Sequence, residues 1–200
     1  MFGLINTAIQ GFVEDTYGRP TWEQVARTAG LDFVDFEAML PYEDALTEDV
    51  LEAACTILKK DRQAMLEDLG TFLVTNPKME RVRRLLRFGG REFEEFLMSL
   101  DELTGRVGLA IPDLEMPQID IRGHGNGLYR VRIVCDYAGF GAVLLGILQA
   151  VADDYGSLVM SELISEPGAD GFVEHIDLEL LEASFAQDRG LDLGAGLTSA

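Results

Sequence analysis

The hydrophobic period of the chain changes once, near residue 117, and this change restricts the fold more than any other feature. Before it, apolar residues recur at three- and four-residue spacing, which marks amphipathic helices. Leu4, Ile5, Ala8, Ile9 and Phe12 form one such stripe, closed by Gly18 and Pro20. Thr21 with Gln24 has the form of a capping box and opens a short helix through WEQVARTA, which Gly30 ends. Residues 47–58 and 60–74 repeat the pattern, MERVRRLLRF stops at Gly89-Gly90, and a helix over 91–107 follows. After the change, QIDIRG and GLYRVRIVCDY alternate as strands do, joined by HGNG, whose Asn-Gly is a hairpin signal. Residues 139–154 read as a helix, and SLVMSELISE and GFVEHIDLEL as two strands around the turn PGADG. Strands at 118–123, 127–136, 157–165 and 171–179 predict a four-stranded antiparallel sheet with the apolar helix packed on it. The fold class is therefore α+β. The Gly-rich stretch 185–200 has no period and reads as a flexible tail.

Two hundred residues fit one domain with a real core. A net charge of −19 opposes phosphate backbones and anionic membrane surfaces, so nucleic-acid binding is not expected. The same charge keeps the chain soluble and offers an acidic face to a basic partner. Cys55 and Cys135 stand far apart with no CxxC, which fits a reducing cytoplasm. The N-terminus has no basic region of the signal-peptide kind. GFGAVLLGILQAVA is too short to span a bilayer and runs into Asp153-Asp154, so a buried core helix is expected.

The chemistry of a catalyst is hard to find. His124 sits in a turn and His175 in a strand, each without a His, Cys or Asp neighbour at ligand spacing, so no metal site is expected. No phosphate-binding glycine loop, GxSxG or Cys–His pair is present, so the chain is not expected to be an enzyme.

The order of landmarks is more telling. MFGLIN, YG…TWEQV, PYEDALTEDVL, LLRFGGREFEEFLMSLDEL, IPDLEMPQI and GFGAVLLGILQAVA occur in sequence. Together they resemble the H-NOX family, the heme-nitric oxide/oxygen binding domain also called HNOB. The resemblance covers about residues 1–180. It implies an H-NOX-like fold over 1–184, with a helical lobe at 1–64 packed on an α/β lobe at 65–184.

The resemblance also assigns pocket positions. The family's FL…LD.LH pattern supplies the histidine that ligates heme iron; here it reads Phe96-Leu97, Leu100-Asp101, Leu103, then Thr104. A threonine hydroxyl is a poor axial donor beside imidazole. Because Leu97, Leu100 and Thr104 share one helical face, Thr104 is expected to point into the apolar interior, where its hydroxyl needs a partner. The family's Tyr-x-Ser-x-Arg clamp for the propionates falls on Ile133, Cys135 and Tyr137, without the arginine whose fork would hold a carboxylate. Ile5 matches a distal-side position, Pro117 the proline that presses on the heme, and Val143 the distal position that is tyrosine in oxygen-binding members. Cys135 and Tyr137 are alternative anionic iron ligands.

With two heme requirements missing, the expectation is that no cofactor is bound, or heme only weakly. The reading that follows is a stand-alone, heme-independent sensory domain. Stand-alone bacterial members act on a histidine kinase or a cyclic-diguanylate enzyme, and at this length no attached output domain is expected, so the output is expected to be a separate protein. The alternative is a heme-binding nitric oxide sensor with an atypical axial ligand.

Overall fold

The computed structural model describes residues 3–86, 91–111, 114, 116–168 and 171–181. The stretch expected to be a tail, and Gly89-Gly90, lie outside the described residues. Helix α1 spans Gly3–Tyr17 and buries Ile9, Phe12 and Val13. The second helix, α2 (Arg19–Thr28), starts ahead of the expected capping box, with Pro20 in its first turn, where a missing N–H is harmless. Thr21 does not cap it: the Oγ1–H donates back to the Tyr17 carbonyl at 2.9 Å. Trp22 is fully buried, its indole N–H donating to Val34 O at 2.7 Å, and it packs on Phe36, which meets Phe33 and Tyr42 edge-on.

Helix α3 (Asp44–Leu58) ends at Lys59 in a left-handed conformation, φ 55°. Asp61 then caps α4 (Arg62–Thr75) by accepting from Ala64 N–H at 2.9 Å, which fixes Arg62 as the first residue of that helix. Helix α5 covers Glu80–Leu86.

The helix expected over 91–107 is broken. Helix α6 (Phe93–Met98) passes into a 3-10 turn at Leu100–Glu102 before α7 (Leu103–Ala110). The apolar stripe survives the break: Phe93, Phe96, Leu97, Leu100, Leu103 and Val107 are all buried.

Strands β1 (Gln118–Gly125) and β2 (Leu128–Cys135) form the hairpin. Asn126 and Gly127 hold φ 52° and 75°, the pair of positive angles that Asn-Gly supplies in a two-residue hairpin turn. After α8 (Phe140–Asp154), strands β3 (Leu158–Gly168) and β4 (Gly171–Leu181) complete a sheet of order β1-β2-β4-β3, every pair antiparallel. Tyr129, Val131, Ile133, Ile176 and Leu178 line the inner face beneath α8, while Arg130 and Arg132 alternate outward.

Two apolar clusters share the chain, one around α1–α4 and one between the sheet, α6, α7 and α8. Helix α8 joins them, because Val143 packs against both. It does so by crossing α4 at backbone contact. A Cβ on Gly70 would lie 2.0 Å from Val143 O, and one on Gly146 would lie 2.0 Å from Glu67 O. Each helix thus needs a glycine where the other's carbonyl passes.

Gly146→Ala should therefore destabilise the protein by about 1–3 kcal/mol through overpacking, although alanine adds roughly 1 kcal/mol of helix propensity. Urea unfolding should show a lower midpoint with an unchanged slope. A variant as stable as the parent would mean that the helices have room between them.

Candidate functional site

Beside this crossing, a cavity of about 300 Å³ opens between α1, α3, α4, α7 and α8, at the lower end of the range for small-molecule sites. Its walls are apolar: Ile5 and Ala8 from α1, Leu69 and Leu73 from α4, Leu103 and Val107 from α7, Val143 and Ile147 from α8. Two hydroxyls on the wall are already engaged. Thr7 Oγ1 donates to Gly3 O at 2.8 Å, and Thr47 Oγ1 donates to the buried Asn6 Oδ1 at 2.8 Å. The charged side chains among the described lining residues are Glu48 and Arg62, both about half exposed, which places them at the solvent end. Tyr137, Ala138 and Gly139 complete that end.

Gly139 also begins α8, which has no side-chain cap of its own. The cap comes from β4. Glu174, 2% exposed, accepts from Gly139 N–H at 3.1 Å, from Gly141 N–H at 2.6 Å and from the Ser165 hydroxyl at 3.0 Å. A carboxylate at a helix N-terminus meets both the unpaired N–H groups and the positive end of the helix dipole.

Of the seven positions singled out from the sequence, the structure brings Ile5, Tyr137 and Val143 to the cavity. Thr104 lies off the wall. Its hydroxyl donates to Pro117 O at 2.8 Å, which supplies the partner it needs and ties α7 to the segment leading into β1. Pro117 is buried there. Ile133 is fully buried in the sheet, facing Glu174 in register, and Cys135 is buried two residues on. Burial pushes the Cys135 thiol up, against hydrogen bonds from Tyr137 that lower it, so a thiolate there is disfavoured.

Sequence reasoning missed Arg62, Glu48 and Glu174, and also Met79 and Met116, whose thioethers line the cavity. The Asp61 cap was a legible signal for where α4 begins and hence for the place of Arg62. Nothing local marked Glu174 as buried. Among the described residues no three His, Cys, Asp or Glu side chains gather as a metal site, and no helix is long and apolar enough to cross a membrane.

An α+β fold whose helices enclose an apolar, ligand-sized cavity has the architecture of a binding domain. The comparison with known proteins makes this specific: the Haem-NO-binding profile matches residues 2–162, and the chain belongs to that family of sensor domains. Soluble guanylate cyclase 89Db of Drosophila melanogaster is 21% identical over 166 residues, which is 83% of this chain and 25% of that protein. The chain thus spans about a quarter of the length of that relative. Among solved structures, an H-NOX variant carrying cyano-phenylalanine superposes with a TM-score of 0.76 at 14% identity, over 91% of this chain and 97% of the other. An oxygen-binding H-NOX domain related to soluble guanylate cyclases gives a TM-score of 0.67 at 16% identity, over 91% and 96%. These likenesses establish the H-NOX fold.

They also correct one expectation. The absence of a cofactor was inferred from Thr104 and from the missing arginine, but the family is defined by haem binding, and its solved relatives include work on heme distortion and on oxygen binding. The physical reason lies in the walls. Two substituted positions have not let the helices collapse onto one another, and the cavity persists. Its residues fit heme in polarity, with a donor set other than imidazole. Met79, Met116 and Tyr137 line it, and thioether and phenolate are both heme-ligand chemistries.

Thr104→Val should cost about 1–3 kcal/mol by leaving the Pro117 carbonyl without its donor, and Thr104→Ser should cost less. Thermal melts of the two variants check the order; equal melting temperatures would remove the Thr104–Pro117 bond from the fold's supports.

Proposed function

We propose that this chain is the sensory domain of a signalling system, holding heme in the cavity between α1, α4, α7 and α8 and reporting its state to a signalling or catalytic partner. The observation that carries this reading is the persistent apolar cavity inside a haem-NO-binding fold. Heme, when bound, supplies an iron that takes up a diatomic gas. The chain's own contribution is to exclude water with Leu, Ile and Val walls and to present a soft donor. Met116 is the best placed donor, because it adjoins Pro117, whose carbonyl the Thr104 hydroxyl holds against α7, the helix on which the family carries its histidine. Ile5 and Val143, on the opposite walls, offer no hydrogen bond to a bound gas, which favours nitric oxide over dioxygen as the signal.

For the partner, the named relatives are soluble guanylate cyclases, and stand-alone family members suggest a histidine kinase or a cyclic-diguanylate enzyme. A surface of net charge −19 suits a basic contact region on any of these, with association slowed by salt. Free Cys55 and Cys135 fit a reducing, cytoplasmic setting.

The reading is tested by titrating hemin into the purified protein. A one-to-one Soret band that moves when nitric oxide is added to the reduced form is expected, and Met116→Ala should alter that band while leaving the melting temperature of heme-free protein within a few degrees. Wild-type protein that takes up no stoichiometric hemin would overturn the heme assignment.

A further inference from the structure

The mouth of the cavity contains an arrangement that the family's heme site does not account for. Arg62 and Glu48, from the first turn of α4 and from α3, meet there as a two-point fork: Nη2 donates to Oε1 at 2.9 Å, and Nη1 lies 2.8 Å from Oε2. The guanidinium is thus already bound to a carboxylate in the geometry that suits it best. Both partners are half exposed, so water screens the pair and it contributes little to stability. Behind it the wall is hydrocarbon, and among the described lining residues no other charged side chain is present. Gly139 lies close beside it: a Cβ there would stand 2.6 Å from Leu66 Cδ1 and 4.0 Å from Arg62 Nε.

We propose that Arg62 is the carboxylate-binding residue of this cavity and that Glu48 holds its place until a ligand arrives. The ligand class is an apolar body carrying a carboxylate, with the body filling the cavity and the carboxylate replacing Glu48 on the guanidinium. Porphyrin propionates and long-chain fatty acids share this chemistry. The exchange is nearly balanced at the charged end, because one carboxylate replaces another. Burial of the apolar body therefore supplies the net affinity, and Arg62 is what lets the cavity accept an acid without leaving its carboxylate unpaired beside Glu48. Arg62 would then do, from α4, what the absent arginine at the position of Tyr137 does in the family. The inference rests on reading this cavity as the ligand site.

The test uses protoporphyrin IX and oleate, each as the free acid and as the methyl ester. Each is titrated into wild type, Arg62→Gln and Glu48→Gln, following porphyrin fluorescence or heat. Arg62→Gln should weaken binding of the acids by about ten-fold or more, the scale of a lost charged hydrogen bond, and leave the esters unchanged. Glu48→Gln should tighten the acids, and added salt should weaken them most in Glu48→Gln, less in wild type and not in Arg62→Gln. Circular dichroism melts of the two variants should match wild type, as both sites are half exposed. Porphyrin binding that ignores Arg62, or an ester that loses as much affinity as the acid in Arg62→Gln, overturns the inference and leaves the heme reading standing. Arg62-dependent uptake of oleate with no uptake of porphyrin supports the inference and removes the heme reading. No uptake of any of the four compounds overturns both.

Discussion

The crossing of α4 and α8 at Gly70 and Gly146 is the contact that the rest of the structure depends on. It sets two helix axes as close as backbone atoms allow, and it is the join between the two apolar clusters. Each cluster buries side chains of ordinary kind, and either could tolerate a changed methylene at modest expense. The crossing cannot, because what opposes each glycine is a carbonyl group rather than the end of a flexible side chain. Beside it, Leu66, Leu69 and Leu73 of α4 and Val143, Leu144 and Ile147 of α8 turn toward the space bounded by α1, α3 and α7, and so line the cavity.

Much of the fold was legible because periodicity reports burial directly. The alternation of Tyr129, Val131 and Ile133 with Arg130 and Arg132 gave both the strand and its inner face, and Asn126-Gly127 gave the turn. The break at Leu100–Glu102 was not legible, for a physical reason. A residue in a 3-10 turn advances by about 120° instead of about 100°, so the apolar positions stay buried while the residues beyond them rotate. The stripe through Phe96, Leu100 and Val107 looks continuous, yet Thr104 turns toward Pro117 instead of sharing the cavity face.

The candidate site was legible in outline and not in its charged parts. Ile5, Tyr137 and Val143 were placed through resemblance, and all three line the cavity. Arg62 and Glu48 lie 14 residues apart on different helices and meet only through the packing of α3 on α4. The absence of heme was the wrong conclusion from a correct observation. Losing a ligand position says nothing about whether the walls have closed, because the walls are held by contacts elsewhere.

Glu174 sits on a strand, yet both of its oxygens bond the chain where α8 begins. One of those bonds ends on Gly139, a residue of the cavity wall, and the strand that carries the carboxylate pairs with β2 on one side and β3 on the other. Charge-assisted hydrogen bonds in a buried setting are costly to break and tolerate little stretching. The mouth of the cavity and the middle of the sheet therefore behave as one rigid link, like a latch screwed to the frame behind it. Residues 137–141 are therefore tied through one carboxylate to β4 and, by way of the Ser165 hydroxyl, to β3 as well.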